Sequence, residues 1–559
     1  MWKKIIPSTQ WLRDYSFFLF GADALAGIML ACYAIPVSLA YATLAGLPPQ
    51  FGIYGYLLGG LCYAILGTSR HLAIGPTSAI SLLVGLTLST MSNGDPQRWI
   101  DLASMTAVVF SIISVTAYLL RLSSIINFIS ETVLLGFKAG AAITIGLTQL
   151  PKLFGVPGGG SNTIERVKEL TMQIPDTKLS VLIFGICVII LILLGQRLLP
   201  GKPVTLTIVI ISIILMTFTP MGGLGFKIVG DIPAGLPKLH LPKMHLQDMI
   251  DLMPLAFASF LLAYIESVSA AKAMSQKYGY EIDAHQELLA LGVTNFVVAV
   301  GGGYPVSGGL SQSAVNEKAG AKTPMSLIIA SFFIAIVLYL TFLLKNLPTV
   351  ILASLVLVAI KGLVDIKEFR RLWKGNRFDF AIAIIALISV ISFGILQGVI
   401  IGAVASLLLI IRIVSSPHIA FLGKIPGTER YTDLRRHPDN EQIPGVLIIR
   451  VEAPLLYFNV SNVHHAIWSR IKLIDEPLKI VIMDLSSSAY MDSSGARFVK
   501  KFYNDLHDRG VTLKLAEAHS EVRDILRFED VEHLLGHVSR RDSLHEIIIH
   551  SVGDDIVGK

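Results

Sequence analysis

Charge is what this sequence has least of. Asp, Glu, Lys and Arg make up 15% of its 559 residues, against roughly 25% in an ordinary soluble domain. A purely soluble protein is excluded. The shortage is uneven, with 47 charged residues in the first 415 positions, about 11%, and 39 in the last 144, about 27%. That split implies two solvents, a bilayer around the first part and water around the second. Cysteine is scarce too. Cys32, Cys62 and Cys187 stand singly in apolar runs, which excludes a disulfide framework and a cysteine zinc site. There is no P-loop, no GxSxG elbow and no grouping with metal-ligand spacing, so the expectation is no catalytic residues, no metal and no cofactor. No Lys/Arg-rich run is interleaved with aromatics, which argues against a nucleic-acid partner.

What is present is apolar sequence, 53% of the chain. The net charge of +6 belongs to the first part, where 28 basic residues face 19 acidic ones, while the last part has 18 against 21. A basic excess beside a bilayer is the usual bias of cytoplasmic loops. Lys3, Lys4 and the apolar run after them imitate a secretory signal, but the run is about twice too long for one, so it reads as a retained helix. A helix crosses the hydrocarbon in about 20 residues. Twelve stretches qualify, near 18–45, 48–67, 99–121, 130–150, 177–199, 203–220, 249–274, 285–301, 324–345, 348–364, 378–394 and 396–414.

Two further apolar stretches are short and interrupted. LAIGPTSAISLLVG from Leu72 carries Gly75, Pro76 and Thr77, and YPVSGGLSQSAVNEKAG from Tyr304 carries Pro305, Gly308 and Gly309. Counting them gives fourteen segments, with the broken ones third and tenth, at equivalent places in two halves of seven. Seven is odd, so the second half enters from the other side and any repeat is inverted. Lys and Arg near the span ends, notably Arg70, Arg121, Lys202, Lys318 and the cluster from Lys361 to Arg377, fall on one side if the N-terminus is inside. Both termini are then expected in the cytoplasm.

The sequence therefore divides into a membrane part, 1–415, a polar linker, 416–442, and a soluble domain, 443–552. In the last, VLIIRVEA, KIVIMDL and VTLKLAEA alternate with helical patterns around His464–Ile474 and Asp492–Arg509 and from Ser520 and Ser543. Strands alternating with helices indicate a small α/β domain.

A broken helix at membrane depth leaves backbone groups unpaired where there is no water, so breaks are costly and usually functional. If Thr77 and Ser78 open one half-helix and Gly309, Leu310 and Ser311 the other, free N–H donors and two partial positive charges meet near the midplane. An anion can bind there without a lysine or arginine. The alternative is two proline kinks in ordinary helices. Glu266, in FLLAYIESVSAAKAM, is an intramembrane carboxylate of the kind that faces a cavity. It is a candidate to carry a proton or, with Ser267, to coordinate sodium, or else to pair structurally with Lys138 of GFKAGAAITIG. Gln312 and Ser311 are candidate side-chain donors to the anion, and Tyr41 of the first span could close the pocket; a membrane Gln is also common interhelical glue. In the soluble domain, Asp492 is expected to cap a helix opening with Ser493 and Ser494, which is either a plain capping turn or a phosphate-accepting one.

These residues resemble a known family. PPQFGIYGYLLGGLCYAILGTSRHLAIGPTSAIS, GGYPVSGGLSQSAVNEKAGAKTP and VGDIPAGLP look like the signature region, tenth segment and central outer loop of the sulfate permease (SulP, SLC26-type) anion transporters. The C-terminal domain resembles their STAS domain. The resemblance implies a polytopic α-helical membrane protein of fourteen transmembrane segments, built as 7+7 inverted repeats with core and gate domains, plus a cytoplasmic α/β STAS domain. It implies a homodimer in the lipid bilayer of the cytoplasmic membrane. Carried over residue by residue, the anion site comprises Tyr41, Thr77, Ser78, Gly309, Leu310, Ser311 and Gln312, and Glu266 matches the acidic position of proton-coupled members. Two departures stand out: Val37 where many relatives have glutamine, and Gln312 where many have arginine. Lys138 could supply the missing cation. Ser494 corresponds to the serine phosphorylated in related antagonists.

The expected function is secondary active transport of an inorganic anion, sulfate first, with bicarbonate or chloride as other candidates, by proton-coupled alternating access. The rivals are sodium-coupled bicarbonate uptake or anion exchange on the same fold, and, from another class, a membrane-tethered STAS signalling protein.

Overall fold

The computed structural model describes residues 6–13, 15–92, 94–123, 131–160, 163–199, 202–219, 225–243, 245–474, 476–536, 538 and 543–552. Lys3 and Lys4, the charged start of the signal-like stretch, lie outside them. The chain divides into two compact units, 1–406 and 407–559.

The first unit is helical. Its first half runs α1 (Phe17–Leu44), α2 (Gln50–Leu66), β1 (Ile74–Gly75), α3 (Ser78–Met91), α4 (Pro96–Leu119), α5 (Glu131–Phe154), α6 (Thr163–Gln173), α7 (Leu179–Leu198) and α8 (Val204–Phe218). The second half runs α9 (Leu246–Tyr278), α10 (Ala284–Val300), β2 (Ser307–Gly308), α11 (Leu310–Lys318), α12 (Met325–Tyr339), α13 (Thr349–Ile360), α14 (Ile366–Gly375), α15 (Arg377–Phe393) and α16 (Ile395–Ser415). All fourteen expected segments are present. Six of the described helices are long and apolar enough to cross a membrane, and shorter apolar ones accompany them. Local chemistry sets several ends. Asp95 caps α4 by accepting from the Gln97 N–H, with Pro96 in the first turn; Asp283 caps α10 from the His285 and Gln286 N–H groups; Gly279, at φ 68°, ends α9 in the left-handed conformation that glycine tolerates. Sequence reading passed over α6 and α14, which are amphipathic and too polar to register as spans.

Packing sorts these helices into two bundles. In one, α4 packs on α9 and α10, α12 on α1 and α2, and α10 on α2; in the other, α5 packs on α13 and α15, and α7 on α13. Each bundle thus takes the same segments from both halves, one to four in the first and five to seven in the second. Small residues allow close approach inside each, as lipid-embedded helices require. A Cβ on Gly52 would lie 2.0 Å from the Ser38 carbonyl oxygen, and one on Gly136 2.0 Å from that of Ala383.

The second unit holds a five-stranded sheet ordered β4–β3–β5–β6–β7, with β3 (Ile419–Lys424), β4 (Tyr431–Asp433), β5 (Val446–Val451), β6 (Ile480–Asp484) and β7 (Thr512–Ala516). β5, β6 and β7 are parallel, and β3 is antiparallel to both neighbours. Helices α17 (Val460–Ile471), α18 (Ser493–His507) and α19 (Ser520–Phe528) supply Val463, Ile467, Val499, Phe502 and Val522 to one face. Leu544 and Ile548 of α20 (Leu544–Val552) join Ala420, Leu422 and Ile482 in a second cluster. This corrects one expectation. The stretch 416–442 is not only a linker, because β3 and β4 within it are strands of the sheet. The polar run from Arg430 hid them: β4 is a three-residue edge strand, where polar side chains are tolerated, and β3 is apolar but only six residues long.

Candidate functional site

The two broken segments meet. β1 and β2 pair antiparallel, Ile74 opposite Gly308 and Gly75 opposite Ser307, as equivalent segments of an inverted repeat must. Each strand runs directly into a half-helix. Thr77 is the N-cap of α3 in extended conformation, and its side chain makes no capping bond; Gly309 is the extended N-cap of α11 and has no side chain to cap with. The first helical bonds are Ser81 N–H to Thr77 O, 2.9 Å, and Ser313 N–H to Gly309 O, 3.0 Å. The N–H groups of Ser78, Ala79 and Ile80, and of Leu310, Ser311 and Gln312, therefore precede the helical ladders. The two termini are adjacent: a Cβ on Gly309 would lie 3.2 Å from Thr77 Cγ2. Two uncapped positive helix ends at one point attract an anion.

Tyr41 is buried beside Ser78 and close enough to Glu266 to feel its charge. Glu266, on α9, has Oε2 3.3 Å from the Ser307 hydroxyl, which is also 3.3 Å from Thr77 Oγ1. The next residue, Ser267, accepts the Gly308 N–H at 2.8 Å. A carboxylate, three hydroxyls and the strand pair are thereby fixed together. Lys138 acts on Glu266 electrostatically without closing to ion-pair distance.

Gln312 lies in the first turn of α11, and its side chain is engaged by the protein. Its amide N donates to Ala73 O at 2.9 Å and to Ser307 O at 3.1 Å, and its Oε1 accepts from the Tyr56 hydroxyl. Both amide hydrogens are committed to the strand backbones, so this side chain holds the crossing together and only its backbone N–H faces the free terminus. Leu310 is 42% exposed. Ser311 is exposed to a cleft of about 490 Å³ that also touches Val37, Gln196, Val315, Lys318 and Lys361. The cleft thus runs along α11 from Ser311 to Lys318 at its C-terminal end.

Sequence reading missed four supports. Ser307 joins Thr77 to Glu266; Tyr56 holds Gln312; Ser313 Oγ accepts the Ala73 N–H at 3.0 Å; Tyr33 lies beside Ser311. Tyr56 sits two turns into an ordinary-looking helix, and nothing in its local sequence marks it. In the soluble domain Asp492 caps α18 through Gly495 N–H, 2.8 Å, and accepts the Tyr457 N–H at 2.8 Å; Ser494 is half-buried in the first turn. Among the described residues no three His, Cys, Asp or Glu side chains group to hold a metal.

Comparison with known proteins agrees with this architecture. The sulfate permease family matches residues 20–386 and the STAS domain family residues 437–546. A probable sulfate transporter 4.2 of Arabidopsis thaliana is 32% identical over 554 residues, covering 95% of this chain and 81% of the relative. Among solved structures, the murine Solute Carrier 26 family member A9 anion transporter in the inward-facing state superposes with TM-score 0.89 at 21% identity, over 98% of this chain and 94% of that one. The transmembrane domain of the cyanobacterial bicarbonate transporter BicA gives TM-score 0.61 at 20% identity, over 70% of this chain and 98% of that one. The chain belongs to the sulfate permease family of membrane transporters and carries a STAS domain at its C-terminal end.

Proposed function

We propose that this protein takes up sulfate across the cytoplasmic membrane by proton-coupled alternating access, with both termini in the cytoplasm. The observation that carries the reading is the pair of uncapped helix N-termini at Thr77 and Gly309, an anion site made of backbone dipoles. Such a site binds through dipoles, and Lys138 stays beyond ion-pair distance of Glu266, so a doubly charged anion beside Glu266 needs that carboxylate neutralised. A proton on Glu266 does this and leaves with the substrate. The names of relatives favour sulfate. Movement of the bundle holding α3, α9 and α11 against the one holding α5, α7 and α13 would carry the site between the two sides, and a homodimer would hold the second bundle still. The STAS domain is a regulatory module in this reading, and a phosphoryl group on Ser494 would sit on the positive end of α18; mass spectrometry of protein from growing cells checks for it.

Sodium-coupled bicarbonate uptake is the second reading, favoured by the three oxygens of Glu266, Ser307 and Thr77 within 3.3 Å links of one another. Uptake of labelled sulfate and bicarbonate into proteoliposomes under imposed proton or sodium gradients separates the two. Sulfate accumulation that follows the proton gradient in wild type and ignores it in Glu266→Gln supports the proposal. Sodium-driven bicarbonate uptake, or exchange indifferent to both gradients, overturns it.

A further inference from the structure

A trough of about 460 Å³ runs between the two bundles, with Ile28 and Cys32 of α1 and Phe333 and Ile336 of α12 on one wall and Leu206 and Ile210 of α8 on the other. Its lining is almost wholly carbon. It lies at membrane depth, where no water can fill it and lipid can. Cys32 and Leu206 also line a second cleft, of about 380 Å³, which adds polar and basic groups to an apolar wall. There Lys202, Lys318, Gln196 and Thr205 gather at the ends of α7, α8 and α11. Among the described residues neither lysine has a carboxylate partner. An apolar trough that opens into a pair of unneutralised cations matches one class of molecule, with a long hydrocarbon chain and an anionic head. We propose that this continuous groove binds an anionic glycerophospholipid, its acyl chain in the trough and its phosphate between Lys202 and Lys318.

Two consequences follow from where the groove lies. The trough is walled by both bundles, so an occupied groove favours whichever arrangement of the bundles keeps it open. Lys318, Gln196 and Thr205 also line the cleft that leads to Ser311. A phosphate held at Lys318 therefore places negative charge at the mouth of the anion path. If the proposed transport reading holds, an anionic lipid raises the KM for substrate; the lipid site itself does not depend on that reading.

The test is binding, read without transport. Full-length protein in neutral detergent is incubated with dioleoylphosphatidylglycerol, dioleoylphosphatidylcholine or sn-glycerol 3-phosphate, and retained ligand is counted by native mass spectrometry. Wild type should retain one phosphatidylglycerol per chain in preference to phosphatidylcholine, and no glycerol phosphate. Lys202→Gln and Lys318→Gln should each weaken phosphatidylglycerol retention about fivefold, the effect of one basic residue at an anionic surface, without changing phosphatidylcholine. Lys202→Arg with Lys318→Arg should restore it, which separates lost charge from lost fold. Ile210→Trp, filling the trough, should reduce retention of both lipids. Equal retention of the two lipids by wild type overturns the headgroup assignment. Glycerol phosphate binding as tightly as the lipid, or Gln variants that retain phosphatidylglycerol unchanged, overturns the lipid site.

Discussion

Gly75 and Ser307 face each other across an antiparallel strand pair, and Tyr56 packs on the outside of it. A Cβ on Gly75 would lie 2.4 Å from the Tyr56 ring, whose hydroxyl bonds Gln312. The crossing of the two broken segments is therefore built with no room to spare on that side.

Gly75→Ala should push the Tyr56 ring away and unseat Gln312. Overpacking of this kind costs about 1–3 kcal/mol, so the protein should still insert and purify, while substrate uptake falls at least tenfold because both helix termini shift. Normal uptake by a stable Gly75→Ala protein would show that the crossing tolerates displacement.

Gln312→Leu keeps the volume and removes the donors. Ala73 O and Ser307 O then each lose a buried donor, at about 1–3 kcal/mol for a group left unsatisfied. A clear fall in thermal stability of the detergent-solubilised protein is expected, measured by tryptophan fluorescence. Were Gln312 instead a side-chain ligand of the anion, the substitution would weaken substrate binding and leave the melting temperature of the empty protein unchanged.

In the other bundle, Gly136 meets the Ala383 carbonyl directly. Gly136→Ala should separate α5 from α15 and lower stability by about 1–3 kcal/mol. Gly21, with nothing within 4 Å of its Cβ position, is the control: Gly21→Ala should melt with wild type.

The β3–β4 edge of the soluble domain is pH-dependent. Burial alone would raise the Asp433 carboxyl, but the Arg435 N–H and His418, with Nε2 at 3.1 Å, hold it below the ordinary aspartate value. A carboxyl depressed on folding contributes stability above its unfolded value and loses it as pH falls through the folded one. Asp433→Asn should thus lower the melting temperature of the domain at pH 7 and make little difference near pH 3, by circular dichroism of residues 416–552.

The membrane part, the fourteen segments and the two breaks were legible because apolar length and Gly-Pro interruptions are local properties. So was Asp492 as a cap, since capping needs only residues within one turn. The extent of the soluble domain was not: β3 pairs with β5 in a register that sets Ile419 opposite Val451, and edge pairing leaves no period in a six-residue run.

The sequence by itself determined that two apolar runs would be interrupted by glycine and proline and that an acidic residue would lie at membrane depth, because both are local properties of the chain. Only the tertiary structure decided that the two half-helix termini touch, that Ser307 ties Thr77 to Glu266, and that the Gln312 amide bonds the Ala73 and Ser307 carbonyls. Those are contacts between the third, eighth and tenth segments. Residues so far apart in the chain meet through the packing of α9 and α2 around the strand pair, which no local pattern encodes.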